Sequence, residues 1–136
     1  MHRVTREFNF CYGHRLLNYD GKCRHLHGHN ARAVITLEGA RLDGRGMVVD
    51  FTDLKRVVGV WLDDTLDHKM LLHRDDPALP FFRQLGEPVV ILDVNPTAEN
   101  IARLIFDQVA KEGFPVIEVQ LWETDNCFAS YVRPVP

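Results

Sequence analysis

The chain has no surplus of positive charge. Its 16 Lys and Arg stand against 19 Asp and Glu, for a formal net charge of -3. A surface built for nucleic acid or an anionic membrane wants a basic excess, so neither partner is expected. Cysteine is scarce: Cys11, Cys23 and Cys127 are the only three, an odd number that excludes a fully paired disulfide framework. Free thiols in a reducing, cytoplasmic setting fit this usage. No apolar run approaches the ~20 residues that span a bilayer; Val89-Val90-Ile91-Leu92 is among the longest. Met1 to Glu7 carries no apolar h-region, so no signal peptide is expected. Repeats and low-complexity tracts are missing as well. What remains is an ordinary globular balance, 46% hydrophobic and 26% charged. The 136 residues suit one soluble domain over positions 1–136.

Val4 to Phe10 alternates, with Val4, Phe8, Phe10 and Tyr12 on one parity, and predicts a half-buried strand that ends at His14. After the polar loop Asn18 to Lys22, a second strand runs from about His27 to Glu38. Asp43-Gly44 makes a turn, and Met47-Val48-Val49 reads as a short returning strand. Asp50 opens a helix with Phe51, Leu54, Val57, Val58 and Trp61 at helical spacing. Arg74 to Pro88 carries three prolines and reads as loop. Val89 to Leu92 is a short strand. Thr97 caps a second helix, with Ile101, Leu104, Ile105 and Gln108 or Val109 on one face and Gly113 as its stop. Val116 to Trp122 alternates again, and a turn near Asp125-Asn126 leads to a last strand at about Phe128 to Val132. This order predicts an α+β domain, an antiparallel four-stranded sheet backed by two helices.

The sharpest local signal is His27-Gly28-His29. Residues two apart on a strand share a face, roughly 6.6 Å apart along it. His14 has the parity of Phe8, Phe10 and Tyr12, so pairing of the first two strands brings it to the same face. Three imidazoles leave a fourth tetrahedral position open, the pattern of a catalytic rather than a structural zinc. Three separate, partly buried histidines would read the same way in sequence. Cys23 lies four residues before His27, between Lys22 and Arg24. A fourth zinc ligand, a general base and an inert thiol are all open to it. Asp67-His68, at the end of the first helix, suits a proton relay, although the helix dipole alone also favours a His there. Glu123 extends the apolar parity of Ile117, Val119 and Leu121. A carboxylate there needs a partner, such as two parallel N–H donors on a flat heterocycle, unless the strand has already reached solvent.

Six segments in order resemble the 6-pyruvoyl-tetrahydropterin synthase / 6-carboxy-tetrahydropterin synthase family over nearly the whole chain. They are Phe10 to His14, Cys23 to His29, Gly46 to Phe51, Leu66-Asp67-His68, Asn95 to Asn100 and Trp122-Glu123-Thr124. The resemblance implies the tunnelling fold, in which protomers join sheets into an oligomeric β-barrel, commonly a homohexamer. It implies zinc on His14, His27 and His29, and Cys23 as general base. Asp67 and His68 would complete the relay from a neighbouring subunit. Glu123 would anchor the pterin, helped by the Thr97 region. The implied substrate is 7,8-dihydroneopterin triphosphate. A carboxy-type enzyme converts it to 6-carboxytetrahydropterin, acetaldehyde and triphosphate on the way to queuosine; a pyruvoyl-type enzyme stops after triphosphate elimination. Tyr12 and Gly13 stand where the family often has two small residues, and His73 follows Leu72 where it often has Asn. These departures bear on pocket shape and product. Arg15, Lys22, Arg24 and His25 are candidates for the triphosphate. Outside this reading stand a zinc hydrolase on the same histidines, which would leave Cys23 without a role, and a non-catalytic zinc- or pterin-binding module.

Overall fold

The computed structural model describes residues 1–136. Two long strands form its centre. β1 (His2–His14) and β2 (His27–Gly39) pair antiparallel along their full length, from His2 opposite Gly39 to His14 opposite His27. Alternation puts Phe10, Tyr12, Ala31, Ala33, Ile35 and Leu37 on one face, where all are buried. β5 (Val116–Thr124) pairs antiparallel with β2, and β6 (Cys127–Val132) returns against β5. These are the four antiparallel strands that the sequence predicts.

The sheet continues beyond them. β3 (Lys69–His73) lies parallel to β1, and β4 (Val89–Leu92) lies parallel to β3. The result is a six-stranded mixed sheet in the order β4-β3-β1-β2-β5-β6. β3 has no alternation to betray it. Leu71 and Leu72 are both fully buried, as in a parallel strand covered on both faces. Met47 to Val49 does not form a strand. Asp43 closes that segment as a turn: its N–H donates to the Met47 carbonyl at 2.9 Å, and its carboxylate accepts from the N–H groups of Arg45 and Met47. Backbone groups satisfied this way need no ladder.

Three helices complete the fold, two of them packed into the core of the buried face. Phe51–Leu54, the wider π-type turns of Lys55–Gly59, and Val60–Thr65 run on as one helix, α1. Asp50 caps it, accepting from the Thr52 N–H at 2.8 Å. Its buried row is Leu54, Val58, Leu62 and Leu66, not the row starting at Phe51, which is 44% exposed. Residues four apart drift by about 40° per step on an ideal helix. The wider π-type turns reduce that drift and hold the row in line. α2 (Leu79–Leu85) lies inside the segment read as loop. Pro80 sits in its first turn, where a missing N–H costs nothing, and Gly86 ends it at φ +72°. α3 (Ala98–Lys111) starts as expected, with Thr97 Oγ1 accepting from the Asn100 N–H at 3.2 Å. Ile101, Ile105 and Val109 on its inner face are fully buried. No helix is long and apolar enough to cross a membrane.

Candidate active site

The β1–β2 register decides where the histidines go. His14 faces His27 directly, and Tyr12 faces His29. The three imidazoles meet at this end of the hairpin, with ring centroids 4.5 to 5.0 Å apart. One ligand atom from each lies within 4.8 Å of the others.

Backbone carbonyls set the rings. His14 Nδ1 lies 2.6 Å from the Pro96 oxygen, and His27 Nδ1 lies 2.7 Å from the His25 oxygen. A carbonyl only accepts, so both Nδ1 atoms carry the proton and both Nε2 atoms present a lone pair. The Nε2 atoms of His14 and His29 approach to 3.1 Å. His27 Nε2 is buried and has no hydrogen-bond partner. Burial lowers the His14 pKa to about 4, with the neighbouring His27 and His29 adding to the shift and the Pro96 carbonyl opposing it. Burial likewise lowers His29, against the pull of Glu123. His14 is therefore uncharged near neutral pH. Convergent imidazole nitrogens, two of the rings oriented by carbonyls, fit a divalent cation such as zinc.

The Pro96 carbonyl was not readable from the residue pattern, and neither was what holds it. The Asn95 side chain accepts from the Leu17 N–H and donates to the Leu17 carbonyl, both at 2.9 Å. Asn100 Nδ2 donates to the Asn95 carbonyl at 2.9 Å. The loop before α3 is thus clamped to the segment just after His14.

Glu123 falls at a register shift between Trp122 and Thr124, where a bulge re-aims side chains. Its Oε2 lies 2.8 Å from His29 Nε2 and 3.9 Å from His14 Nε2. The carboxylate therefore stands beside the histidine cluster, with a quarter of its side chain exposed. Tyr12 packs edge-on against His14, with its hydroxyl buried and unpaired. Burial first, and the Glu123 charge second, raise the Tyr12 pKa and keep the hydroxyl neutral.

Cys23 sits in a short 3-10 turn, Lys22–Arg24, tied to the site by its carbonyl, which accepts from the Leu16 N–H at 2.9 Å. Its thiol joins neither the histidine cluster nor Asp67 and His68. The thiol that meets that pair is Cys11, a residue the motif reading left without a role. Asp67 Oδ2 lies 2.8 Å from His68 Nδ1, and Cys11 Sγ lies 3.5 Å from the same nitrogen. Burial pushes the Asp67 carboxyl up, but hydrogen bonds from the Cys11 N–H and from His68 outweigh it and hold the group below the usual carboxylate range. Asp67 is thus ionised and His68 Nδ1 donates to it, which leaves Nε2 free on a largely exposed ring. Cys11 and Gly13 alternate with Tyr12 and His14, so this cluster lies on the opposite face of the sheet from the three histidines.

Among the candidates for the triphosphate, Arg15 is already engaged. Its Nε donates to Asp76 Oδ2 at 2.7 Å, and its Nη2 to Asp76 Oδ1. Arg24 donates to the Asp20 carbonyl at 2.7 Å. Thr97 spends one lone pair on its helix cap and keeps its O–H to donate.

A mixed α+β sheet with three converging imidazoles at the end of its central hairpin defines a protein able to bind a metal ion there. The chain belongs to the 6-pyruvoyl tetrahydropterin synthase family, whose profile matches residues 3–134. It is 35% identical over 135 residues to the 6-carboxy-5,6,7,8-tetrahydropterin synthase of Rickettsia typhi, covering 94% of this chain and 98% of that one. It is 34% identical over 144 residues to the 6-pyruvoyl tetrahydrobiopterin synthase of Pongo abelii, covering 95% and 90%. The structure of Caenorhabditis elegans 6-pyruvoyl tetrahydropterin synthase superposes with a TM-score of 0.72 at 26% identity, over 97% of this chain and 95% of that one. The fold is the tunnelling fold expected from the sequence.

Proposed function

We propose that this chain is a zinc-dependent 6-carboxy-5,6,7,8-tetrahydropterin synthase acting on 7,8-dihydroneopterin triphosphate, a step toward queuosine. The observation that carries the reading is the convergence of three imidazoles beside the Glu123 carboxylate, in a chain 35% identical to a protein of that name.

His14, His27 and His29 would hold the zinc. When bound, zinc supplies a Lewis acid that makes protons next to the side-chain hydroxyls more acidic. Glu123, released from His29 once that imidazole binds the metal, would grip two ring N–H groups side by side, with the Thr97 hydroxyl helping to hold the ring. The Cys23 thiolate would take a side-chain carbon proton. His68 would move protons through Nε2, because Asp67 fixes the proton on Nδ1. The products would be 6-carboxytetrahydropterin, acetaldehyde and triphosphate.

Within one chain the Cys23 thiol does not join Asp67 and His68, so a relay that uses all three would take the latter pair from another copy. We therefore place the site at a subunit interface of a ring-forming oligomer, a homohexamer in this reading, with 1–136 as its single domain. The unpaired Cys11, Cys23 and Cys127 suit the cytoplasm.

Incubating zinc-loaded protein with 7,8-dihydroneopterin triphosphate and weighing every product tests the proposal. Acetaldehyde with a 6-carboxy pterin supports it. A 6-pyruvoyl product favours the second reading, which the likeness to the Pongo abelii synthase supports. Tight binding without turnover would make the chain a pterin-binding module.

A further inference from the structure

We propose that Cys11, Asp67 and His68 form a second divalent-cation site, of the zinc class, on the face of the sheet opposite the three histidines. Its occupation switches off the Asp67–His68 pair. The binding claim stands on geometry alone; the switching claim rests on the relay role proposed above.

Three different donor types converge here. Cys11 Sγ is 3.5 Å from His68 Nδ1, and Asp67 Oδ2 is 2.8 Å from the same atom. One ligand atom from each residue lies within 4.8 Å of the others. The backbone fixes this meeting. His68 N–H donates to the Cys11 carbonyl at 2.7 Å, and Cys11 N–H donates to Asp67 Oδ1 at 2.9 Å. The parallel register continues at once, with Tyr12 opposite Lys69. His68 itself adopts φ +59°, a left-handed conformation that L side chains rarely take. With the chain bent there, the side chains of two successive residues reach one point. Strain of this kind, held in place by these two hydrogen bonds, concentrates at functional positions.

The donor chemistry selects the ion. A thiol, an imidazole and a carboxylate suit zinc, cobalt or cadmium, whereas magnesium and calcium prefer oxygen alone. On loading, Sγ loses its thiol proton to solvent, and the proton that His68 Nδ1 shares with Asp67 is transferred through solvent to Nε2 of the same ring. The thiolate and the carboxylate then balance the two positive charges of the ion. Cys11 and His68 both line a cavity of about 590 Å³, which gives the ion a way in. Lys69, whose Nζ lies 3.3 Å from the Asp67 carbonyl, opposes a cation here. The site should therefore fill after the three-histidine site.

Occupation has a direct chemical consequence. An imidazole bound through Nδ1 carries its one proton on Nε2 and can no longer accept one there. The exposed nitrogen of His68 then ceases to be a base.

Cobalt titration of metal-stripped protein separates the two sites, since only a thiolate ligand gives an intense near-ultraviolet charge-transfer band. Two equivalents are expected, the band growing with the second. Cys11→Ser should keep the first equivalent and abolish both the band and the second equivalent, as should His68→Ala by a route that leaves the thiol in place. Cys23→Ser should keep both equivalents and the band. A wild-type protein that stops at one equivalent would overturn the site, and so would a band that survives Cys11→Ser. Excess zinc should slow wild-type turnover at least tenfold and leave Cys11→Ser turnover unaffected. Equal zinc inhibition of both proteins would overturn the switch. The cobalt result decides the site even in a protein with no pterin activity.

Discussion

His14 Nδ1 and the Pro96 carbonyl lie 2.6 Å apart, across 82 residues of chain. This contact fixes the tautomer of the most buried histidine and couples the β1–β2 hairpin to the start of α3. Asn95 holds the carbonyl in position through its two hydrogen bonds to Leu17. Asn95→Ala should leave all three imidazoles present yet weaken zinc binding 10- to 100-fold, the usual effect of losing an orienting partner. Competition against a zinc chelator measures it; an unchanged affinity would make the clamp irrelevant to the metal.

Metal-free protein should lose stability as pH falls. His14 keeps a pKa near 4 when folded, against 6.5 ordinarily. Between those values the unfolded chain binds a proton that the folded chain refuses. Stability should therefore drop as pH falls from about 6.5 to about 4, with no further His14 contribution below that. At ~1.4 kcal/mol per unit the loss is at most roughly 3.5 kcal/mol. Burial shifts His29 the same way. Urea midpoints across this range check it, and a flat series would argue against a neutral, buried His14.

Cys23→Ala should keep the zinc and lose turnover. The thiol lies outside the histidine cluster, so the ion does not depend on it. Zinc content by mass spectrometry beside a product assay gives the answer. Near wild-type turnover would move the base role elsewhere, with His68 next in line.

Glu123→Gln replaces one acceptor oxygen by a donor that faces another donor. Substrate binding should weaken by roughly 1–3 kcal/mol, the cost of an unpaired buried polar group, and zinc should stay. Turnover should fall as well, because the ring is no longer held for proton removal. Zinc loss in this variant would instead make Glu123 a metal ligand, an outcome its 2.8 Å approach to His29 Nε2 makes worth measuring.

Mixed oligomers test the shared site. Cys23→Ala and His68→Ala should each be inactive alone. Unfolded, mixed in equal parts and refolded together, they should recover about a quarter of the wild-type rate, since one site in four then draws an intact Cys23 and an intact His68 from different copies. No recovery from well-folded mixed oligomers would place the whole relay within one chain.

The readable parts of this protein are those where a single period governs a stretch. Alternation in β1 and β2 placed His14, His27 and His29 on one face, and the structure brings them together. Helical spacing and the Thr97 cap located α3 closely. Sequence fails where burial on both sides erases alternation, as at Leu71 and Leu72, or where a proline sits harmlessly in a first turn, as at Pro80. It fails again where a backbone atom does the chemistry. No pattern of side chains announces the Pro96 carbonyl, and nothing in Asp67-His68 signals the left-handed bend that brings both to Cys11.

The pairing of His14 with His27 carries a consequence for how the gene can vary. A strand shifted by one residue turns every side chain over. His27 and His29 would then face away from His14, and no ion could bridge them. A single inserted codon within β1 or β2 should thus cost the metal even if the sheet survives. The stretch between the strands, residues 15–26, carries no such parity constraint, and length changes there should accumulate more freely.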